Sequence, residues 1–444
     1  MKFAGPIHRT MQNSKRHFER RDTILLLFVA FVLFLWSEGF QLRALEFSER
    51  YKVLRIVSVF LIVLWAAIRM LFAYIKPLFR NFYFLSILGL LAVTMFPTFF
   101  TGTLLYGQGL DGVVRRPLFF YALFIFVPLF YYPTDILTLK RLNMVIVVIG
   151  ISLALFQSVF SFVPDIGKVI LNDSAYIPSR FELTRMTVMS AMFPCILYAI
   201  FYLITAFSLR KNSILCALGL AIPLYYIFFV IIARSAIFGL GIVWLLYCVF
   251  YPAVRKRLLS WGLLVVLLLI LSQPFVQFGL IDIIKESAIS IKDEVNSVDG
   301  TVGIRMRGIK YYWHEFQKTW YVGIGMVSTE RAADTTVGIG MTEYKFNPAD
   351  QGIFSVIMQF GFQALVLTGV VCYRMFRDLQ FVIRYGISDL KVIALSIQLF
   401  LLFEIVTFSH VFLWRWEGIW WGLFFFITWK MRDLVPSDKS LSTA

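Results

Sequence analysis

The stretch LLSWGLLVVLLLILSQPFVQFGL, residues 258–280, is apolar over its whole length, and the polar sequence DIIKESAISIKDEV follows it at residues 282–295. A helix needs roughly 20 apolar residues to cross ~30 Å of hydrocarbon, because every backbone amide must be paired inside lipid. The polar character continues to residue 351, where the next apolar stretch begins. These two segments therefore predict a membrane-spanning helix followed by a long loop at one membrane surface.

The rest of the chain has the same apolar character as residues 258–280. Hydrophobic residues make up 59% of the 444 residues and charged residues only 15%, which is not the composition of a soluble protein. We predict an all-α polytopic membrane protein in which a single membrane domain, residues 23–430, lies between basic and short polar tails at 1–22 and 431–444. About twelve spans are expected, at 23–44, 53–75, 82–100, 117–132, 143–163, 186–207, 213–233, 235–252, 258–280, 352–374, 391–410 and 411–429.

The distribution of Lys and Arg predicts the orientation, because cytoplasmic loops of membrane proteins are enriched in both residues. Just over half of the 42 Lys and Arg residues share one side if both termini are cytoplasmic. The large loop, residues 282–351 between spans nine and ten, is then extracytoplasmic. We attribute the formal net charge of +16 to anionic lipid at the inner leaflet and expect no nucleic-acid partner. No cleavable signal is expected, since the basic tail leads directly into a full-length span.

Metal and nucleotide chemistry are not expected from the residue patterns. The four cysteines all lie within apolar spans, the four histidines are scattered, and a Walker-type phosphate loop is missing, so no cofactor is predicted. Glu404, within the eleventh span, would suit a proton-coupled transporter. The alternative interpretation is that Glu404 packs between helices and pairs with Arg415.

Five arginines are predicted on the extracytoplasmic side. Guanidinium groups match phosphate oxygens with two parallel hydrogen bonds and keep their charge at the edge of lipid. A binding site for a phosphorylated lipid is therefore one interpretation, and non-specific snorkelling towards headgroups is the other. The five are Arg180 and Arg185, which flank FELT before the sixth span, Arg234 between the seventh and eighth spans, and Arg305 and Arg307 in the large loop.

The loop sequence GIRMRGIKYYWHEFQKTW, residues 303–320, predicts an amphipathic helix on the membrane surface. The apolar face is expected to hold Ile304, Ile309, Trp313, Phe316 and Trp320. His314 on this helix is a candidate base, although a solvated or capping histidine is the commoner role. The other candidate base is Asp350, where the loop meets the tenth span, although Asp at a helix start is also an ordinary N-cap.

These motifs together resemble the O-antigen ligase and O-antigen polymerase superfamily of bacterial membrane glycosyltransferases, and the similarity covers most of residues 140–425. That family has about twelve spans, a large late outer loop that opens with an Arg-containing helix and a G-x-G turn, and a His-Asn pair starting the next span. The matching positions here are Arg305, Arg307, Trp313, Gly323, Gly325, Asp350, Gln351, Gly361 and the Arg-Ser pair at 234–235. Asp350 replaces the family's histidine, a departure that favours the polymerase branch over the ligases.

The resemblance implies an inverting, metal-independent glycosyltransferase that joins polyprenyl-diphosphate-linked glycan repeats into O-antigen, capsule or exopolysaccharide. It implies the bacterial inner membrane as location, and a chain-length regulator and a flippase as partner proteins. Asp350 would be the base, and Arg180, Arg185, Arg234, Arg305 and Arg307 would bind diphosphate or glycan. Ligase-type transfer to an acceptor and a lipid-linked oligosaccharide flippase or transporter are the alternatives, although no internal repeat typical of transporters is found.

Overall fold

The computed structural model describes about three fifths of the chain. The described ranges are 22–34, 79–105, 116–170, 176–180, 183–186, 193–209, 213–231, 234–251, 301–325, 353–407 and 418–435, with the single residues 64, 68, 255, 259 and 262. Almost all of the second and ninth predicted spans and most of the large loop, including Asp350 and Gln351, lie outside the described residues. Arg415 also lies outside them.

The described part of the chain is predominantly helical, with one β-hairpin. Its elements, in chain order, are α1 (Asp22–Phe34), α2 (Phe82–Phe100), α3 (Ile136–Phe162), α4 (Pro164–Ile170), β1 (Tyr176–Arg180), β2 (Leu183–Met186), α5 (Phe193–Leu209), α6 (Ser213–Tyr225), α7 (Arg234–Phe250), α8 (Thr301–Lys318), α9 (Ile353–Tyr385), α10 (Ser388–Val406) and α11 (Gly418–Leu434). A π-helical turn, Thr101–Leu105, continues α2, and another, Tyr226–Ile231, continues α6. Residues Arg116–Tyr131 form a 3-10 helix.

Side-chain caps define where two of the long helices begin. The Asn81 side chain accepts a hydrogen bond from the backbone N–H of Tyr83 at 2.9 Å, and Asp135 accepts one from Thr138 at 2.7 Å. Each cap satisfies a backbone donor that has no partner within the first helical turn. Helix α3 therefore begins at Ile136, immediately after its cap Asp135. This start is seven residues before that of the predicted fifth span, because the helix includes the polar residues Lys140 and Arg141.

The core is a set of helix pairs packed through large aromatic side chains. Helix α11 packs on the 3-10 helix, α3 on α5, α9 on α2, and α10 on α5. The rings of Phe400 and Trp421 lie 5.5 Å apart between α10 and α11, and Tyr198 of α5 lies 5.2 Å from Phe424. A side chain at Gly422 would come within 2.8 Å of the Leu123 carbonyl, so glycine allows α11 to approach the 3-10 helix closely.

Three described helices are long and apolar enough to cross a membrane: Phe82–Leu104, Ile136–Ser161 and Val356–Tyr385. They coincide with the third, fifth and tenth predicted spans. Large apolar side chains also cover the outer surface of the bundle, and Phe238 and Val366 are 62% and 67% exposed. Exposure of such an apolar surface is unfavourable in water and favourable in lipid. The membrane class predicted from composition is supported, while the count of twelve spans stays a prediction.

One short β-hairpin lies within the otherwise helical architecture. Its two strands are antiparallel, with Ile177 opposite Arg185 and Arg180 opposite Leu183. Pro178 disfavours helical backbone at the residue before it and is tolerated in a strand that pairs on one side only. The sixth predicted span, 186–207, therefore starts too early: Met186 ends β2, and the helix begins at Phe193.

Polar contacts show which helix termini lie together at one end of the bundle. The carboxylate of Asp378, near the end of α9, accepts hydrogen bonds from Arg374 at 3.1 Å, from Arg432 of α11 at 2.9 Å and from the hydroxyl of Tyr83 at 3.0 Å. Lys140 of α3 pairs with Asp389 of α10 at 3.2 Å. Helices α2, α3 and α10 therefore begin at the end where α9 and α11 finish, and we call this the basic end.

Candidate functional site at the end opposite the basic end

Helix α9 is broken at Gly361, whose backbone angles are φ 79° and ψ 176°. This combination is accessible essentially only to glycine. The break lies beside two carbonyls of the preceding turn, which accept hydrogen bonds from the chain after α8. The N–H of Ile324 donates to Met358 O at 2.8 Å, and the N–H of Gly325 donates to Gln359 O at 2.8 Å. Irregular backbone within a spanning helix is stable where protein groups pair it in this way.

Three glycines bring three chain segments into backbone contact. A Cβ at Gly323 would lie 2.4 Å from Gln359 O, one at Gly325 would lie 2.5 Å from Thr98 Cα in α2, and one at Gly361 would lie 2.4 Å from Val322 O. All three have positive φ. We call this contact between the turn after α8, the break in α9 and the C-terminal part of α2 the glycine junction. The sequence predicts a G-x-G turn at Gly323 and Gly325 and marks Gly361 only as a position that matches the family, so the contact among the three glycines is a finding of the structure.

The end of α8 has an unusual backbone that the surrounding rings stabilise. Trp320 and Tyr321 are consecutive non-glycine residues with φ of 57° and 62°, a conformation that costs roughly 1–2 kcal/mol per residue. The N–H of Tyr321 donates to Phe316 O at 3.3 Å, and the ring of Phe316 lies 5.3 Å from Tyr321 and 5.7 Å from Phe362 of α9. The turn is therefore held against α9 by aromatic packing as well as by the glycines.

The helix predicted at 303–320 is confirmed as α8, Thr301–Lys318. Phe316 is buried as expected, whereas Trp313 is 39% exposed and Trp320 is 87% exposed. The Trp313 ring lies 5.6 Å from that of Phe316, and its exposed side leaves the expected position at the membrane surface a prediction. The buried face at helical spacing consists of Gly308, Tyr312, Glu315, Phe316 and Thr319.

Glu315 is the carboxylate that sequence analysis missed. It is only 5% exposed, and its Oε1 lies 2.6 Å from Lys318 Nζ, whose side chain is largely exposed. His314, the residue named as a candidate base, lies next to it on the exposed side. The spacing of Gly308, Tyr312, Glu315 and Thr319 at three and four residues was the available signal. It was hidden because those residues are less apolar than the neighbouring Trp and Ile positions.

The predicted phosphate-binding arginines fall into two groups by the elements that carry them. Arg180 and Arg185 lie on β1 and β2, and β2 packs against the π-helical turn Tyr226–Ile231, after which Arg234 begins α7. Arg305 and Arg307 lie in the first two turns of α8, whose other end forms the glycine junction. The side chains of all five, and the whole of Asp350, lie outside what the structure describes.

A buried stripe of threonines on α2 leads to the glycine junction. Thr94 and Thr98 are nearly inaccessible, and Thr101 is fully buried one turn further on. The Thr98 hydroxyl donates to Thr94 O at 2.7 Å, and that of Thr101 donates to Pro97 O. These hydroxyls are satisfied by their own helix, so we assign them to packing against the turn. No group of three or more His, Cys, Asp or Glu side chains suited to a metal occurs within the described ranges.

The fold and the junction define a helical membrane protein in which one spanning helix is broken and paired to a segment of the preceding loop. No family model matches the sequence, and no curated protein matches it. Its function is therefore argued from the geometry of this site.

Proposed function

We propose that this protein is a membrane glycosyltransferase that polymerises polyprenyl-diphosphate-linked oligosaccharide repeats into a surface polysaccharide. The observation that carries the proposal is the glycine junction. It joins the turn after α8 to the break in α9, α8 carries Arg305 and Arg307 in its first two turns, and Asp350 precedes α9 by three residues. Two motifs on which the family resemblance rests, the Gly323–Gly325 turn and Gly361, are thus in backbone contact.

The proposal includes a topology with twelve spans, both termini cytoplasmic and residues 282–351 on the outer face of the bacterial inner membrane. Lys140, Arg374 and Arg432 all lie at the basic end, as the enrichment of basic residues on the cytoplasmic side requires. The turn after α8 contacts the far end of α2, beyond Pro97. This contact supports a position of the loop helix at the opposite membrane surface, where a lipid-linked donor would be presented after its transfer across the membrane.

The reaction requires charge stabilisation and one base. The hydroxyl of the acceptor sugar attacks the anomeric carbon of the donor, the bond from that carbon to the diphosphate oxygen breaks, and the configuration inverts. The hydroxyl proton goes to a carboxylate, and the leaving polyprenyl diphosphate is stabilised by arginine side chains. We assign diphosphate or glycan binding to Arg180, Arg185, Arg234, Arg305 and Arg307, and the base to Asp350.

Glu315 is the alternative base, because it is a buried carboxylate one turn from the glycine junction, whereas His314 is solvent-exposed. The variants Asp350→Asn and Glu315→Gln separate the two roles. Asn is as good an N-cap as Asp, so a structural Asp350 tolerates the change. We expect Asp350→Asn to make no polymer from purified protein and lipid-linked repeat, while Glu315→Gln retains a ladder.

The opposite result in this pair would move the base to Glu315. Wild-type ladders from both variants, at matched expression, would contradict the assignment of a carboxylate base at this site. Asp350→Glu is the matched control for charge, and a trace of activity is expected because the carboxylate remains but is displaced by one methylene.

Two other functions remain as alternatives, and a deletion strain distinguishes them. A polymerase deletion accumulates single lipid-linked repeats at the outer face and loses polymer. A ligase deletion accumulates finished polymer on the lipid carrier. A flippase or transporter is favoured by the broken helix at Gly361 and by Glu404, which is 2% exposed within α10. Its deletion would leave the repeats on the cytoplasmic side, and purified protein would then form no glycosidic bond.

A further inference from the structure

The last turns of α9 line a groove at the basic end, away from the glycine junction. Its volume is about 530 Å³, and its walls include Arg377 and Arg384 together with Tyr373, Phe381 and Tyr385. The two arginines are seven residues apart and therefore lie on one face of the helix. The groove thus combines two cationic groups with aromatic rings on a single helix face.

Arg377 and Arg384 are distinct from the other arginines near them. Arg374 and Arg432 both bind the buried carboxylate of Asp378, which holds both guanidinium groups in place and offsets one of their two charges. Arg377 and Arg384 are exposed, and no carboxylate among the described residues lies within ion-pair distance of either guanidinium. Arg432 also stacks over Phe381 at 4.6 Å, which fixes one aromatic wall of the groove.

The length of α9 places this groove at headgroup depth. The apolar helix Val356–Tyr385 has 30 residues and is about 45 Å long at 1.5 Å per residue. A bilayer is about 40–45 Å thick with its headgroups, around a hydrocarbon core of about 30 Å. The helix therefore exceeds the hydrocarbon core by about 15 Å, or roughly ten residues, and its last nine residues carry Arg377, Arg384 and exposed Tyr385, a residue type common at the interface.

We propose that this groove binds the headgroup of an anionic phospholipid in the leaflet at the basic end. The phosphodiester accepts hydrogen bonds from Arg377 and Arg384, and the acyl chains lie along the apolar flank of α9 near Phe376. Basic pockets beside spanning helices bind anionic lipid headgroups in this way. The inference is independent of the proposed glycosyltransferase activity, because it concerns the other end of the bundle.

The test uses full-length protein in nanodiscs of phosphatidylcholine with graded phosphatidylglycerol, and counts retained anionic lipids by native mass spectrometry. We expect the double variant Arg377→Gln with Arg384→Gln to bind phosphatidylglycerol roughly thirty-fold more weakly, the factor for two basic groups of about 1 kcal/mol each. Arg141→Gln is the matched control, since Arg141 is exposed on α3 at the same end but outside the groove, and loss of its charge should weaken retention far less than the double variant does.

Two further arms separate the possible outcomes. Inorganic phosphate added to pure phosphatidylcholine nanodiscs should raise the melting temperature of the wild type much less than phosphatidylglycerol does. An equal rise would assign the groove to a free anion and overturn the lipid proposal. Unchanged lipid retention in the double variant would also overturn it. The single variant Arg384→Gln, at the exposed last turn, should show about a five-fold loss without affecting folding.

Discussion

Replacing Gly361 by alanine should destabilise the protein, whereas replacing Gly369, eight residues later on the same helix, should stabilise it. Alanine at position 361 must keep a backbone conformation that only glycine adopts readily, at a cost of about 1–3 kcal/mol. Its Cβ would also lie 2.4 Å from Val322 O, so the turn after α8 must move. Loss of the hydrogen bonds from Ile324 and Gly325 adds about 1 kcal/mol each, for a total of about 3–5 kcal/mol.

Gly369 provides the matched control on the same helix. No atom lies within 4 Å of a Cβ built there, so alanine meets no obstacle. Replacing a helical glycine by alanine stabilises a helix by roughly 0.5–1 kcal/mol. The two variants should therefore shift the unfolding midpoint in opposite directions.

The assay is unfolding of purified protein in mixed micelles with increasing SDS, followed by far-UV circular dichroism. Gly325→Ala should resemble Gly361→Ala, because its Cβ would come within 2.5 Å of Thr98 Cα. If Gly361→Ala unfolds at the same SDS fraction as Gly369→Ala, the junction does not hold the break in α9, and the reasoning from backbone contact is refuted. Loss of activity at wild-type stability would instead indicate a direct role of the turn in the reaction.

Three further predictions concern other parts of the chain. Asp378→Ala leaves two arginines and a tyrosine hydroxyl without their shared acceptor, so the free energy of unfolding in the same SDS titration should fall by about 2–4 kcal/mol. Asp378→Asn should lower it less, and an unchanged midpoint in the Ala variant would show that the network contributes little. A cysteine introduced at Thr335 should react with an impermeant thiol reagent in cells with a permeabilised outer layer, and one at Ser388 should not; the reverse pattern would invert the topology. Arg234→Lys keeps the charge but loses the bidentate guanidinium, so polymer yield should fall at normal protein level, and full yield in both the Lys and Ala variants would indicate snorkelling.

Helix α8 shows which features of a helix the sequence predicts and which it does not. Its extent was predicted within two residues at each end, because amphipathic spacing and the glycines after Trp320 are local signals. The side of α8 that packs on the protein was not predicted, since it depends on the position of α9, to which Phe316 packs through Phe362. Glu315 was missed for the same reason.

The membrane class of this protein follows from its amino-acid sequence alone. Transfer of an apolar stretch into lipid depends on the length and composition of that stretch, which is why the candidate spans at Phe82–Leu104, Ile136–Ser161 and Val356–Tyr385 were all predicted. The basic residues that group at one end of the bundle are likewise visible in the sequence, because they lie in the segments between apolar stretches.

Only the tertiary structure brought distant residues together. Tyr83 and Asp378 are 295 positions apart in the chain, and Gly325 meets both Thr98 and Gln359. No local pattern predicts such contacts, because they depend on which helix faces pack and on where glycine permits two backbones to touch. The break in α9 is the clearest example. In the sequence Gly361 is an ordinary helix glycine, and only the structure shows that the turn after α8 donates hydrogen bonds to the carbonyls beside it.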